Sequence, residues 1–256
     1  MTVRFASLGS GSRGNGALIE CGDTLVLLDC GFSMAQTGKR LGRLGKTTAD
    51  LDAIVVTHEH SDHVAGVAAL SRNAGVPVYA TPGTARHRSL TGLETLRLFH
   101  PHDEPLAIGD LQVSPFPVPH DAREPVQFVF GDGDRRLGVL TDVGCWTPHI
   151  VAQLSGCDAL MLEANHDPAM LAGGAYPPSL KHRVGGHQGH LSNHQAARLL
   201  SQLEVGRLQH LVAAHLSEEN NTPALAREAL SGALGCEAQW VAVARQDDGL
   251  AWREII

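Results

Sequence analysis

Short apolar runs that end at glycine-rich turns dominate the first third of the chain. They predict β-strands over residues 3–8, 17–20, 24–29, 53–57 and 76–80. The Gly22-Asp23 pair between the second and third runs favours a hairpin. Apolar side chains at a spacing of about 3.6 residues predict helices over residues 36–44 and 64–73.

The remaining two thirds continue with strands and then alternate between helices and strands. Strands are predicted over residues 111–118, 126–131, 137–141, 159–163, 211–214 and 240–244. Helices are predicted over residues 148–154, 193–203 and 223–234, and the histidine-rich segment 181–190 is interpreted as a loop. This order is typical of a sheet-on-sheet core flanked by helices. We expect an α/β fold with one domain over residues 1–256.

Composition excludes some functions and permits others. The chain has 256 residues, of which 43% are hydrophobic and 18% are charged, so it can bury a large core. Its net charge of −7 argues against nucleic-acid binding through a basic groove. A phosphate substrate is still compatible with this charge, because bound divalent cations supply local positive charge.

Cysteine usage and the N-terminal sequence indicate a cytoplasmic protein. The five cysteines include no Cys-x-x-Cys pair, and an odd count is a poor disulfide framework. The N-terminal segment lacks the apolar run of a signal peptide. No stretch approaches the roughly 18 apolar residues that span a bilayer. We therefore expect reduced thiols and no membrane partner, and the sequence leaves the oligomeric state open.

Four potential metal ligands follow the apolar strand predicted at residues 53–57. They are His58, His60, Asp62 and His63. Neutral imidazoles and carboxylates bind metals of the zinc class at about 2.0–2.2 Å. The four side chains converge if the backbone turns after the strand and the next helix holds that turn. The alternative is a solvated loop that binds nothing, which this spacing after a buried strand disfavours.

Three further candidate ligands each follow the end of another apolar strand. They are His120, Asp142 and His215. Taken singly, each is more often a hydrogen-bonded polar residue than a metal ligand. Strand ends that gather on one edge of the core would bring all three to the cluster, and the combined set is large enough for two ions.

These motifs resemble those of the metallo-β-lactamase superfamily. Five of its motifs occur in order: Asp29 in Leu-Leu-Asp-Cys-Gly, the cluster at 58–63, His120, Asp142 and His215. The resemblance implies an αββα four-layer sandwich with the metal site at the edge of the two sheets. It also implies that Asp29 supports the ligand loops without binding a metal.

The resemblance assigns ligands to two divalent metal ions. The first ion would take His58, His60 and His120, the second would take Asp62, His63 and His215, and Asp142 would bridge both. A ligand set of nitrogen and oxygen atoms suits zinc or manganese. Asp142 stands where many lactamases carry a cysteine, and His60 stands where the redox di-iron members carry an acid. Neither of those activities is expected.

Within the superfamily, the chain resembles the nuclease branch and its YycJ/WalJ/VicX group. The segments that carry this likeness are residues 8–15, 163–167, 176–177, 189–193 and 215–220. In RNase Z-like enzymes, a glutamate and a histidine that match Glu163 and His190 form a relay beside the metals. The group implies a DNA exonuclease that acts 5′ to 3′, with DNA favoured over RNA as the partner.

A phosphodiesterase mechanism agrees with these residues. Two cations about 3.5–4 Å apart can bind a hydroxide and the non-bridging oxygens of a phosphate. The hydroxide would attack phosphorus, and Asp62 could accept its proton. His190, oriented by Glu163, would donate a proton to the leaving oxygen. His182 and His187 are weaker candidates for this role, and His194 is expected on the surface.

Two other functions compete with the nuclease. A thioester or small-ester hydrolase of the glyoxalase II type would share the seven metal ligands, but it would not need Glu163 and His190. A metal-stabilised regulatory or scaffold protein would be expected to have lost ligands, and none is missing here.

Basic and aromatic residues near the motifs permit several interpretations. Arg13 lies in a glycine-rich loop at residues 9–16, whose backbone amides either hold a phosphate or form a mobile turn. Lys181 and Arg183 add positive charge before His190. A solvated helix face accounts for Lys39, Arg40, Arg43 and Lys46. Phe116 and Trp146 either lie near the site, where they could contact a base, or pack in the core.

Overall fold

Two seven-stranded sheets pack face to face in the computed structural model, which describes residues 2–102 and 104–256. The first sheet contains β1 (Val3–Gly9), β2 (Gly16–Cys21), β3 (Thr24–Leu28), β4 (Ala53–Val55), β5 (Val78–Ala80), β6 (Leu96–Leu98) and β14 (Leu250–Ile255). The second sheet contains β7 (Leu106–Ile108), β8 (Leu111–Pro117), β9 (Val126–Gly131), β10 (Arg136–Leu140), β11 (Ala159–Glu163), β12 (His210–Ala214) and β13 (Ala242–Val243).

Each sheet combines an antiparallel half with a parallel half. The first sheet has the order β14-β1-β2-β3-β4-β5-β6, with antiparallel pairs up to β3 and parallel pairs from β3 to β6. The second has the order β13-β12-β11-β10-β9-β8-β7, antiparallel from β7 to β10 and parallel from β10 to β13. Carboxyl ends of parallel strands lie at the same edge of a sheet, so this arrangement gathers several strand ends.

Eight α-helices lie within residues 2–102 and 104–256 and accompany the sheets. They are α1 (Met34–Arg43), α2 (Ser61–Val64), α3 (Val67–Ala74), α4 (Pro148–Leu154), α5 (Pro168–Gly173), α6 (Pro178–Val184), α7 (Asn193–Leu200) and α8 (Pro223–Leu234). Short 3₁₀ helices cover Thr48–Asp50, Thr84–Arg86 and Ala238–Trp240. None of the helices in the described ranges has the length and apolar character needed to cross a membrane.

Three apolar layers hold the elements together. Phe5, Phe128 and Phe130 are buried between the two sheets. Leu70 of α3 belongs to the layer on the outer face of the first sheet, and Leu199 of α7 belongs to the layer outside the second. Burial of each such side chain contributes about 1.5–3 kcal/mol. The αββα sandwich expected from the sequence is confirmed.

Several element boundaries differ from the sequence-based expectation. The helix predicted over residues 64–73 is split into α2 and α3, because the Gly66 N–H donates to the Cys30 carbonyl oxygen at 2.8 Å and not to a carbonyl of the preceding helical turn. The strand predicted over residues 240–244 is shorter, because Trp240 ends a 3₁₀ helix. Segment 181–190 is not only a loop, since it begins within α6. Strands β6, β7 and β14 and helices α5 and α6 were not predicted.

Candidate metal centre

The predicted ligands lie together at one edge of the sandwich, where strands of both sheets end. His58 follows β4 of the first sheet, and His120 follows β8 of the second. Strands β10, β11 and β12 are parallel neighbours, so their carboxyl ends present Asp142, Glu163 and His215 side by side. The structure therefore brings the distant sequence motifs to one place.

The turn after β4 is formed by the first residues of α2. His60 is the N-terminal cap of this helix, and its carbonyl oxygen accepts the backbone N–H groups of His63 and Val64 at 3.0 Å each. Asp62 lies in the first turn, and its backbone oxygen accepts the N–H of Asn15 at 2.7 Å. These bonds hold the side chains of the cluster on the same side of the turn.

Potential ligand atoms converge in overlapping groups within which all atoms lie within 4.8 Å of one another. One group contains His58, His60 and His120; a second contains Asp62, His63 and His215; a third contains His58, His63 and Asp142; a fourth contains Asp142, Glu163, His190 and His215. The first two groups coincide with the two ligand sets expected from the sequence. Asp142 is shared between the others, as a bridging ligand requires.

In the first three groups, hydrogen bonds fix one ring nitrogen of each of the five histidines and leave the other facing the centre. The outward nitrogens contact oxygen atoms as follows: His58 Nδ1 to Thr57 Oγ1 at 2.9 Å, His60 Nε2 to the Asp121 carbonyl at 3.2 Å, His63 Nδ1 to Asp29 Oδ2 at 2.8 Å, His120 Nδ1 to the Gly189 carbonyl at 3.1 Å and His215 Nδ1 to Glu163 Oε1 at 3.0 Å. Partners of this kind orient metal-binding histidines and select their tautomer.

Three buried polar atoms of the cluster make no hydrogen bond within the described residues. They are His58 Nε2, Asp142 Oδ2 and His215 Nε2. A buried polar atom without a partner costs about 1–3 kcal/mol. A divalent cation would satisfy all three, and imidazole with carboxylate is the donor set that zinc and manganese accept. The residues present therefore fit divalent metal ions.

Asp29 supports the cluster without facing its centre. Its Oδ1 accepts the backbone N–H of Thr57 at 2.8 Å, and its Oδ2 accepts the Thr57 hydroxyl at 2.9 Å. The same Oδ2 accepts Nδ1 of His63. One carboxylate thus ties the end of β3 to the ligand turn after β4.

Glu163 is fully buried and has five hydrogen-bond donors around its carboxylate. Oε1 accepts the N–H of Asp142 at 3.0 Å, Nδ1 of His190 at 2.9 Å and Nδ1 of His215 at 3.0 Å. Oε2 accepts the N–H groups of Val143 and Leu191 at 3.2 and 2.9 Å. Sequence reasoning paired Glu163 with His190 alone, whereas the structure shows that it holds His215 as well.

Left-handed backbone occurs at three residues of the site. Asp29, Asp142 and His215 have φ angles of 58°, 52° and 53°, and no other non-glycine residue in the described ranges has a positive φ. Each such conformation costs on the order of 1–3 kcal/mol and persists only where the surroundings enforce it. All three lie at strand ends of this cluster, and the strained backbone conformation directs their side chains towards it.

Buried charges set the protonation of the metal-free cluster. Burial lowers the pKa of His215, but Asp142 and two other carboxylates outweigh it and raise that pKa to about 10. Burial also lowers the pKa of His63. The neighbouring carboxylates, of which Asp142 has the largest effect, outweigh burial and hold this pKa well above its usual value. Burial and the adjacent His63 hold the pKa of His58 well below its usual value. The metal-free protein therefore carries protons that a bound metal displaces.

Part of the glycine-rich loop at residues 9–16 is already engaged in hydrogen bonds within the protein. Its amides are used internally: the N–H of Gly11 is bound by Asn15 Oδ1 at 2.9 Å, and that of Arg13 by Gln246 Oε1 at 2.8 Å. The Arg13 side chain is also occupied, since it donates to Glu218 and Asp247. The amides of Gly11 and Arg13 and the Arg13 side chain are therefore occupied, whereas Ser12 of the same loop lines the cavity at the cluster.

Two other sequence-based alternatives are resolved. Arg40 and Arg43 are not simply a solvated face, because both donate to the Leu8 carbonyl oxygen, at 2.6 and 3.2 Å. Phe116 is fully buried, and Trp146 packs against the same apolar layer, so core packing accounts for both aromatic residues.

His182, His187 and His194 are exposed, and the cavity at the cluster is not lined by them.

A cavity of about 270 Å³ opens over the cluster. Its floor includes His60, Asp62, Asp142, His190 and His215. Its wall comes from the segment around α6 and includes Tyr176, Leu180, Arg183 and Val184. Sequence reasoning noted Tyr176 only as part of a family likeness, and no local pattern indicated that it lines the site.

Comparisons with known proteins agree with this description. Residues 24–215 match the family model described as a Beta-lactamase superfamily domain. The metallo-β-lactamase-fold protein YhfI from Bacillus subtilis superposes with a TM-score of 0.77 at 19% identity, covering 99% of this chain and 100% of that one. The fold and the His/Asp cluster define a metal-dependent hydrolase.

Two curated relatives match nearly end to end. Exodeoxyribonuclease YycJ of Bacillus anthracis is 34% identical over 237 residues, covering 91% of this chain and 90% of that protein. Exodeoxyribonuclease WalJ of Streptococcus pneumoniae is 32% identical over 229 residues, covering 87% and 85%. The chain belongs to the metallo-β-lactamase superfamily, in the group of the YycJ and WalJ proteins.

Proposed function

We propose that the protein is a DNA exonuclease that hydrolyses phosphodiester bonds with two divalent metal ions, zinc or manganese. The observation that carries the proposal is the contact of 2.9 Å between Glu163 Oε1 and His190 Nδ1 beside the ligand cluster. A thioester hydrolase with the same metal ligands could use Glu163 to hold His215, but it has no need for His190 on the same carboxylate. The names of the YycJ and WalJ relatives support DNA as the substrate and removal of nucleotides from an end. By the same likeness, we propose digestion from 5′ to 3′.

The ligands of the proposed ions are the two histidine-rich sets described above. One ion is assigned to His58, His60 and His120, the other is assigned to Asp62, His63 and His215, and Asp142 is assigned to both. When bound, such a pair supplies Lewis-acid chemistry: it stabilises negative charge on a phosphate and lowers the pKa of water. Asp62 lines the cavity, and we propose that it holds the attacking water through its carboxylate.

His190 is proposed as the general acid for the leaving oxygen. Glu163 binds Nδ1, so Nε2 is the nitrogen that can carry a proton to the substrate. Burial lowers the pKa of His190, but the Glu163 carboxylate outweighs this and raises it above the usual histidine value. His190 also lines the cavity, with 21% of its side chain exposed. A protonated imidazole at that position suits donation near neutral pH.

The direct test uses end-labelled single- and double-stranded DNA and RNA, incubated with the metal-loaded protein in manganese or zinc. We expect mononucleotides released from DNA and much slower digestion of RNA. S-lactoylglutathione should not be cleaved, whereas bis-p-nitrophenyl phosphate should be. Absence of product from every nucleic acid, or hydrolysis of the thioester alone, contradicts the proposal.

A further inference from the structure

The cavity wall is chemically unlike its floor. Tyr176, Leu180 and Val184 supply an apolar and aromatic surface opposite the polar floor. Metal chemistry on a phosphate requires only the floor. A wall of this composition can bind a flat apolar group that the substrate carries next to the phosphate. The base of a nucleotide is such a group.

Tyr176 is available for such a group. It is half-buried, and within the described part of the chain its hydroxyl makes no hydrogen bond and its ring contacts no other ring. All six phenylalanines are buried and so are not free to stack on a ligand. Except for the histidines, Tyr176 is the aromatic residue that lines the cavity.

The size of the cavity restricts its occupant. Pockets for small ligands occupy about 300–1,000 Å³, and this one has about 270 Å³. It has room for one nucleotide and not for a run of stacked bases. For the proposed exonuclease, that nucleotide is the terminal one.

Arg183 provides a cation on the same wall. Its Nε donates to Asp121 Oδ2 at 2.6 Å, while its two terminal nitrogens have no acceptor among the described residues. Asp121 in turn lies 3.5 Å from His120 Nε2. The guanidinium is therefore anchored beside the ligand cluster with donors to spare, and a phosphate is an acceptor that suits them.

We propose that this wall is the subsite for the terminal nucleotide of the substrate, in which Tyr176 stacks on the base and Arg183 binds a phosphate oxygen. The inference rests on the proposed nuclease function and deepens it. Stacking accepts any base because each one has a π-face, so the subsite recognises a terminal nucleotide without reading its sequence. At a chain end, only the terminal base has to leave the stack to reach the tyrosine.

The test compares oligonucleotides whose terminal nucleotide carries a base with otherwise identical ones that are abasic at that position. For the wild-type protein, kcat/KM should be about tenfold or more higher with the base present, within the range that base–aromatic stacking contributes. In Tyr176→Leu the ratio should fall towards one, and in Tyr176→Phe it should be retained. Trp240→Leu, which removes an exposed aromatic side chain outside the cavity, should retain the wild-type ratio.

The outcomes separate this inference from the proposed function. If the wild-type protein digests no nucleic acid, the function itself fails. If it digests both oligonucleotides equally, or if Tyr176→Leu keeps the full preference, the subsite is wrong while the nuclease stands. Should Tyr176→Leu fold poorly, the His190→Ala protein, in which digestion is slowed, allows a binding measurement with 2-aminopurine. Its fluorescence should change on binding when the probe is terminal and not when it is internal, and equal changes would overturn the inference.

Discussion

Asp29 Oδ2 and His63 Nδ1 lie 2.8 Å apart, and neither side chain is more than 4% exposed. The carboxylate fixes the tautomer of the imidazole and leaves Nε2 for the centre of the cluster. Because Asp29 also accepts two hydrogen bonds from Thr57, a single side chain sets the position of the whole ligand turn. The predicted consequences of this arrangement can be measured on the purified protein.

Replacement of Asp29 by Ala should weaken metal binding by about 10–100-fold, the usual effect of removing an outer partner of a metal-binding histidine. Competition with a chromophoric chelator measures the affinity. Asp52→Ala is the matched control, because Asp52 Oδ2 accepts the Leu25 N–H at 2.7 Å on the same sheet but lies outside the cluster. Wild-type affinity in Asp29→Ala would show that the carboxylate does not organise the ligands.

Removal of metal should lower thermal stability, since His58 Nε2, Asp142 Oδ2 and His215 Nε2 are then buried without a hydrogen bond. Metal at one hundred times its Kd stabilises the folded state by about 2.7 kcal/mol per site. For a chain of this size that corresponds to a Tm about 5–10 °C higher. Melting curves with EDTA and with added zinc or manganese measure the difference, and coincident curves would contradict it.

Metal affinity should rise with pH. In the metal-free protein the pKa of His215 is about 10, above the ordinary histidine value, so this side chain is protonated at neutral pH. The stability that its proton contributes is fully present below about pH 6.5 and is lost as pH approaches 10. Because metal displaces the proton, binding at pH 7 should release protons. Titration calorimetry in buffers of different ionisation enthalpy detects this release; identical heats in all buffers would contradict it.

Substitution of His190 should separate proton donation from metal binding. His190→Ala should lower kcat on DNA by about 10²–10⁴-fold, the usual contribution of a general acid. Hydrolysis of bis-p-nitrophenyl phosphate should fall much less, because p-nitrophenolate leaves without a proton. Metal content should stay at the wild-type level. An equal loss on both substrates would argue against His190 as the proton donor.

Glu163→Gln should impair more than His190→Ala does. Glu163 accepts Nδ1 of His215 at 3.0 Å as well as Nδ1 of His190, so its loss disturbs a proposed metal ligand and the proposed acid together. We expect lower metal affinity in addition to lower kcat, measured by chelator competition and by digestion of labelled DNA. Wild-type metal affinity in Glu163→Gln would show that the contact with His215 is not needed for binding.

Arg183→Gln should reduce the salt dependence of DNA digestion. Loss of one phosphate contact lowers the slope of log kcat/KM against log salt by about 0.7–0.9. Arg72→Gln is a charge-matched control, since Arg72 is exposed on α3 and does not line the cavity. An unchanged slope in Arg183→Gln would show that Arg183 does not bind a phosphate of the substrate.

The sequence located the clustered positions because each lies after a buried strand, and an apolar run can be recognised in the sequence without knowing its neighbours in the fold. His58, Asp142 and His215 all belong to that pattern. The four-layer sandwich followed from the family likeness and from the strand–helix alternation. Edge strands such as β6 escaped prediction because they are short and partly exposed, and so carry little apolar signal.

Features that depend on tertiary neighbours could not be read from the chain. Glu163 contacts His215 because β11 and β12 pair in parallel, which no local pattern reveals. Tyr176 lies between α5 and α6, two helices of six and seven residues that are too short to show a clear period. The amides of Gly11 and Arg13 are satisfied by Asn15 and Gln246, and the partner of Arg13 comes from the far end of the chain.

The central claim is that the clustered side chains bind two cations, and anomalous diffraction from crystals of the metal-loaded protein tests it most directly. We predict two peaks about 3.5–4 Å apart. His58, His60 and His120 should surround one peak, and Asp62, His63 and His215 the other, with Asp142 between them and bond lengths of about 2.0–2.2 Å. A single peak, no peak, or ions bound away from these side chains would contradict the account.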